Sequence, residues 1–208
     1  MKKLIIAIVI IVILSVGGYL TYSLLKPKTI VDTVESYGIK LTETDIKLLQ
    51  NEYLLPGHLK DLAVKNSEPR LCAEISETQN AKVACYRDLA VKLSDPNLCD
   101  NLQGNNIFAC YVEVYQDLAV KNEDSTECEK MRSLGKADIE ANVQSCYLYY
   151  AENVVDESVC EKSGLYEDLC YKTVALSKPD PTLCEKAGSM KDSCYQNCQY
   201  RPACKALL

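Results

Sequence analysis

The 208-residue chain contains no tryptophan, one phenylalanine and one histidine. A single histidine excludes a zinc-finger type of Cys/His site. There is no Cys-x-x-Cys motif, so the usual reactive pair of a thiol–disulfide oxidoreductase is missing, and there is no Asn-x-Ser/Thr sequon, so N-linked glycans are not expected. The cysteines are not clustered as metal ligands would be. We therefore predict no metal and no cofactor.

Acidic side chains are absent from the first 28 residues, which carry four lysines at positions 2, 3, 26 and 28. The 23 basic residues of the chain less these four leave 19 against 29 acids, a formal charge of −10 for the remainder. A body this acidic repels phosphate backbones, which disfavours nucleic-acid binding.

Residues 4–25 carry no charge and are mostly aliphatic. As a helix they would span about 33 Å, enough to cross a bilayer core. We predict that residues 1–25 are an uncleaved signal anchor with its transmembrane part at 4–25, which makes the protein a single-pass cell-membrane protein whose C-terminal domain is extracytoplasmic. The alternative is a signal peptide cleaved near residue 18, which would give a secreted protein. Both alternatives deliver the cysteines to an oxidising compartment.

Twelve cysteines reveal an internal repeat. Five of them are followed directly by tyrosine, and five others each have an alanine nine residues earlier. The Cys-Tyr pairs are Cys85-Tyr86, Cys110-Tyr111, Cys146-Tyr147, Cys170-Tyr171 and Cys194-Tyr195, and the alanines are Ala63, Ala90, Ala119, Ala151 and Ala175. The segment DLAVK recurs at 61–65, 88–92 and 117–121. The pattern predicts about five tandem units.

Each unit is predicted to be a helical hairpin with one disulfide. Residues equidistant from a hairpin turn lie side by side. The midpoint of each proposed pair falls in or beside a turn segment, and four of these five segments contain glycine. This test predicts Cys72–Cys85, Cys99–Cys110, Cys128–Cys146, Cys160–Cys170 and Cys184–Cys194, and Cys198–Cys204 follows by elimination. A bridge that closes so short a loop is worth roughly 3 kcal/mol in the chain-entropy model.

Local signals set the expected boundaries. Ser67 and Ser94, each followed by an acid and a proline, indicate helix N-caps. The second unit has four extra residues between its Cys-Tyr pair and the next alanine, about one helical turn. Residues 26–41 are expected to be a linker. The cysteine-rich repeat domain is expected at 42–208. It should begin with a cap in which one helix runs to about Leu55, Pro56-Gly57 breaks it, and a second helix starts at His58. The predicted fold class is all-α, a transmembrane helix followed by a solenoid-like array of stapled hairpins.

This layout resembles Sel1-like cysteine-rich solenoids, in which helical hairpins follow one another with one disulfide each. The resemblance covers about residues 60–200. The spacing of Cys160/Cys170 and of Cys184/Cys194 is also similar to that of twin C-x9-C helical hairpins. Both resemblances imply an interaction or scaffold module.

Tyrosine is abundant, with 14 residues. Two hypotheses remain open. Tyrosine fills the thin core between hairpins with its hydroxyl in water, or it lines a binding face, for which the candidates are Tyr111, Tyr147, Tyr149, Tyr150 and Tyr171.

The function expected from these features is a membrane-anchored, extracytoplasmic binding or scaffold module that is not an enzyme. Its partners are the membrane, through residues 4–25, and a protein or envelope component. The alternatives are an enzyme, either a thiol–disulfide exchanger or a carboxylate hydrolase, and a purely structural envelope spacer.

Overall fold

The computed structural model describes residues 28–76, 80–135 and 139–207. The segment predicted to span the membrane, residues 4–25, lies outside this part. In the part described, all regular structure is helical and no strand occurs, as predicted. No helix among the described residues is both long and apolar enough to cross a bilayer. The chain divides into two compact units between His58 and Leu59.

The first unit contains two capped helices, α1 (Ile30–Ser36) and α2 (Glu43–Leu49). Each begins with a capping box, in which Thr29 pairs with Asp32 and Thr42 with Asp45. Helix α1 lies within residues 26–41, so the expected linker contains a helix. The helix expected to continue to about Leu55 ends at Leu49.

Helix α3 (Leu55–Asn66) runs from the end of the first unit into the second. The break expected at Pro56-Gly57 is wrong, because both residues lie in the first turn of α3. Proline is tolerated there because the first amide groups of a helix have no intrahelical partner.

Five hairpins follow α3, and we number them 1–5. Each has a short first arm and a longer second helix. Hairpin 1 pairs α4 (Arg70–Ala73) with α5 (Asn80–Leu93). In hairpins 2–5 the first arm is a 3₁₀ helix, and the arms and second helices are Pro96–Asn101 with α6 (Asn105–Lys121), Ser125–Leu134 with α7 (Ile139–Val154), Glu157–Tyr166 with α8 (Glu167–Ser177), and Pro181–Lys186 with α9 (Lys191–Gln199). A 3₁₀ turn (Gly188–Met190) precedes α9, and α10 (Pro202–Lys205) follows it.

The hairpins stack by repetition of one contact pattern. The second helices of successive hairpins pack side by side, and each also packs against the first arm of the following hairpin. A single buried core runs from Ala119 to Cys194 through hairpins 3, 4 and 5. An ion pair between Arg87 and Glu113 at 3.0 Å joins hairpins 1 and 2, and one between Lys178 and Glu157 at 2.9 Å closes hairpin 4 on itself.

The junction between hairpins explains the repeated alanine. All five alanines are fully buried, and each backbone carbonyl accepts a hydrogen bond from the amide five residues later, as in Asp124 N to Ala119 O at 2.9 Å. This bond is the long bond of a Schellman C-cap. It puts the preceding residue in the left-handed region, where Ser67, Ser94, Glu123 and Val155 have φ of 55°, 55°, 50° and 59°.

The expected serine N-caps are therefore wrong. Ser67 and Ser94 end the preceding helix, and the acid that follows them begins the next arm. Asp95 accepts a hydrogen bond from the Asn97 amide at 3.0 Å. Asp124, Asp156 and Asp180 likewise each accept a hydrogen bond from the amide two residues on. The sequence signal is an acid four residues before the first cysteine of every hairpin.

Candidate functional site

The structure joins the cysteines in six pairs with Cα–Cα distances of 5.1–5.7 Å. The pairs are Cys72–Cys85, Cys99–Cys110, Cys128–Cys146, Cys160–Cys170, Cys184–Cys194 and Cys198–Cys204, the same six that the turn midpoints and elimination indicate. All twelve cysteine residues are fully buried, and none in the part of the chain that is described is free. Each hairpin is thus fixed by a bridge inside the core.

The predicted tyrosine face is wrong for three of its five residues. Tyr147, Tyr150 and Tyr171 are 1%, 5% and 4% exposed and belong to the core. Only Tyr149, at 40%, and Tyr111, which is half-buried, offer surface. The competing hypothesis, in which tyrosine fills the core between hairpins, accounts for the other three. The next hairpin supplies a lysine over the rings of Tyr147 and Tyr171, whereas the Tyr150 hydroxyl donates to Glu123 O at the preceding junction.

In hairpins 2, 3 and 5 the tyrosine of the Cys-Tyr pair forms a hydrogen bond with an acid across its own hairpin. The hydroxyls of Tyr111, Tyr147 and Tyr195 donate to carboxylates at 2.9, 2.5 and 2.7 Å. The acceptors are Asp100, Glu129 and Glu185, and each directly follows the first cysteine of its hairpin. The sequence signal for this tyrosine–acid contact is the acid immediately after the first cysteine. The Cys-Tyr pattern by itself does not predict the contact.

A lysine from the following hairpin covers the ring in hairpins 3 and 4. Lys162 Nζ lies 5.4 Å from the ring centroid of Tyr147, and Lys186 Nζ lies 5.3 Å from that of Tyr171. Each lysine stands two residues after the first cysteine of the hairpin that supplies it. Ammonium groups at this distance are attracted by the ring face. The stack thus repeats two contacts of this tyrosine, one with an acid in hairpins 2, 3 and 5 and one with an incoming lysine in hairpins 3 and 4, and hairpin 3 has both.

Hairpin 2 departs from this pattern because of its extra turn. Tyr147 and Tyr171 lie four residues before their junction alanine, the position that Tyr115 holds before Ala119. Burial raises the pKa of Tyr115, and the charge of the lysine from hairpin 3, Lys130, opposes that rise. It forms an ion pair with Glu127 at 2.7 Å.

The extra turn places Tyr111 one turn further from the junction than Tyr115. The two rings are stacked, with centroids 6.0 Å apart and planes inclined by 17°. Burial, and secondarily the hydrogen bond to Asp100, raises the pKa of Tyr111 to about 12. The phenol is therefore a neutral hydrogen-bond donor at physiological pH.

An open pocket of about 250 Å³ lies beside Tyr111. It is lined by Asp100, Gly104, Ile107, Phe108, Tyr111 and Leu134, and we call it the Tyr111 pocket. Leu134 belongs to the first arm of hairpin 3, so the pocket is formed between two hairpins. Its walls are mainly apolar, with one carboxylate at Asp100.

Phe108 also marks the site as different from its equivalents. It stands two residues before the second cysteine, where hairpins 3 and 4 have Gln144 and Asp168. Those polar side chains accept hydrogen bonds from the next turn, from Leu165 N at 3.2 Å and from Ser189 N at 2.8 Å. Phe108 has an apolar ring in that place and lines the open pocket.

A second pocket, of about 260 Å³, lies at the C-terminal end and contains Tyr195 and Glu185. Its acid is already paired, because Lys191 of the same hairpin lies 2.5 Å from Glu185. Among the residues described, no group of three or more His, Cys, Asp or Glu side chains is arranged to hold a metal ion.

Comparisons with protein-family models, with curated proteins and with solved structures found no match to this chain. The resemblance to Sel1-like proteins therefore stays a prediction.

Proposed function

We propose that this protein is a membrane-anchored, extracytoplasmic binding module, built as a stack of disulfide-stapled hairpins. The observation that carries the proposal is the Tyr111 pocket. The pocket is open in hairpin 2, whereas neighbouring side chains fill the equivalent positions in hairpins 3 and 4. Repeat stacks bind partners through surfaces that successive units form together, and this pocket takes side chains from two units.

The anchor and the location are supported by two features. Residues 4–25 have the length and composition of a bilayer-spanning helix. Six buried disulfides are typical of an oxidising compartment, and a short stapled hairpin needs such a bridge because it buries little surface alone.

A non-enzymatic role is part of the proposal. Thiol–disulfide exchange requires a sulfur that a partner thiolate can reach, and every cysteine of the six bridges is fully buried. This burial supports bridges that are structural rather than catalytic.

Crosslinking at the surface of intact cells tests the proposal. A membrane-impermeant crosslinker should join a C-terminally tagged chain to a specific protein or envelope component. The matched control is an unrelated domain fused to residues 1–28 of this chain. Recovery of the same products with both chains would contradict a binding role and would favour the spacer alternative. Failure of the reagent to reach the tagged domain would contradict the location.

A further inference from the structure

We propose that the Tyr111 pocket binds a lysine side chain presented by a protein partner. This inference rests on the proposed function and specifies the chemistry of its ligand. The chain itself places a lysine against the equivalent tyrosine in two of its own repeats.

The internal precedent defines the interaction. In hairpin 3 the Tyr147 hydroxyl donates to Glu129, and Lys162 lies over the Tyr147 ring. Lys186 takes the same place over Tyr171 in hairpin 4. An ammonium group at this distance is attracted by the ring face. The repeat has thus been built twice around a lysine that arrives from the next unit.

Hairpin 2 has the tyrosine and the acid, but its own lysine lies elsewhere. The Tyr111 hydroxyl donates to Asp100, as in hairpin 3. Lys130, which corresponds to Lys162, is instead paired with Glu127 at 2.7 Å. Within the residues described, Asp100 has no ion pair and accepts only the Tyr111 hydroxyl. The extra turn of α6 therefore leaves a cation site open to solvent.

The pocket also suits the rest of a lysine side chain. Ile107, Phe108 and Leu134 form apolar walls that can cover the methylene stem, while Asp100 and the Tyr111 ring receive the ammonium group. The charge of −10 on residues 29–208 draws basic partners towards this surface. The C-terminal pocket is a poorer candidate because Lys191 already neutralises its acid.

Phe108 allows a direct test because it is the only phenylalanine in the chain. The full-length protein, in non-ionic detergent and labelled with ¹³C in the phenylalanine ring, gives one set of ring signals that reports on the pocket. It is titrated with the blocked peptide Ala-Ala-Lys-Ala-Ala and, separately, with the same peptide carrying acetyl-lysine. The lysine peptide should shift the Phe108 signals in a saturable way, and the acetylated peptide should not.

Two variants make the test specific. Asp100→Asn keeps an acceptor for the Tyr111 hydroxyl and removes the charge, so it should weaken binding by about fivefold or more. Glu129→Gln removes the same charge from a tyrosine–acid pair that a lysine already covers, and it should leave binding unchanged. Circular dichroism and the number of alkylatable cysteines establish that both variants are folded.

Equal shifts with the acetylated peptide, or undiminished binding by folded Asp100→Asn, would overturn the lysine site. A Phe108 shift that depends on protein concentration alone would identify a second copy of the chain as the occupant and would also overturn it. Crosslinked surface partners that persist in Asp100→Asn would leave the proposed function intact while removing this inference. Saturable binding of the lysine peptide without any crosslinked surface partner would leave the lysine site intact and contradict the proposed function.

Discussion

Replacing Glu123 by glycine should stabilise the protein. Glu123 is at the junction between hairpins 2 and 3 with φ of 50°, in the left-handed region. Its side chain is exposed, and its backbone makes the junction contacts: the amide donates to Val120 O at 3.2 Å, and the carbonyl accepts the Tyr150 hydroxyl at 3.1 Å. Glycine keeps both contacts and loses only a solvated carboxylate.

The magnitude follows from two opposing effects. An L-residue in the left-handed region costs about 1–2 kcal/mol, and glycine has no such cost. Glycine also gains more freedom in the unfolded chain, which costs about 0.5–1 kcal/mol. The net gain in the free energy of unfolding is about 0.5–1 kcal/mol. For a chain of this size that corresponds to a rise in Tm of roughly 1–4 °C.

The assay is thermal unfolding of the full-length chain under non-reducing conditions, followed by the far-ultraviolet circular dichroism signal of its helices. The control is Glu152→Gly, the same substitution inside helix α7. There the backbone is helical, so glycine should lower the stability by about 1 kcal/mol.

The two substitutions should therefore have opposite signs. A loss of stability in Glu123→Gly comparable to that in Glu152→Gly would refute the left-handed junction. It would also refute the account of why alanine recurs, since the bond from Asp124 N to Ala119 O depends on that junction.

Three further predictions concern the turn of hairpin 5, acid pH and the disulfides. Gly188→Ala should lower the free energy of unfolding by at least about 1–2 kcal/mol in chemical denaturation, because φ is +45° and the new Cβ would collide with the Asp168 carboxylate. The control is Gly57→Ala, at a helical position with open space, which should not lower it. Hydrogen bonds hold the pKa below its usual value for Asp124, Glu129, Glu157, Asp168, Asp180 and Glu185. These carboxylates stabilise the folded chain fully above their unfolded-state pKa values of 3.8 for Asp and 4.5 for Glu, and the stabilisation is lost as the pH falls below those values. The Tm should therefore fall in acid. A Tm that stays constant from pH 6 down to about pH 3 would contradict these hydrogen bonds. Alkylation in denaturant without reductant should modify none of the twelve cysteines by intact mass, and any labelled thiol would contradict a fully bridged chain.

The sequence by itself determined the features that depend on neighbours along the chain. The all-α class and the hairpin units follow from local signals, because a hairpin is symmetrical about its turn. The cysteine pairs that the structure brings together are those that this symmetry indicates. The junction alanines were also visible as a pattern, although their role in the C-cap was not.

Tertiary structure decided everything that depends on the next hairpin. Tyr147 and Tyr171 have the same local sequence signal as Tyr111, yet a lysine-bearing arm covers the first two and leaves a pocket beside the third. The difference arises from one extra helical turn in α6, which changes how far Tyr111 lies from the arm of hairpin 3. The first arms of hairpins 2–5 likewise became 3₁₀ helices capped by aspartate, because the residue before each aspartate completes the cap of the preceding helix.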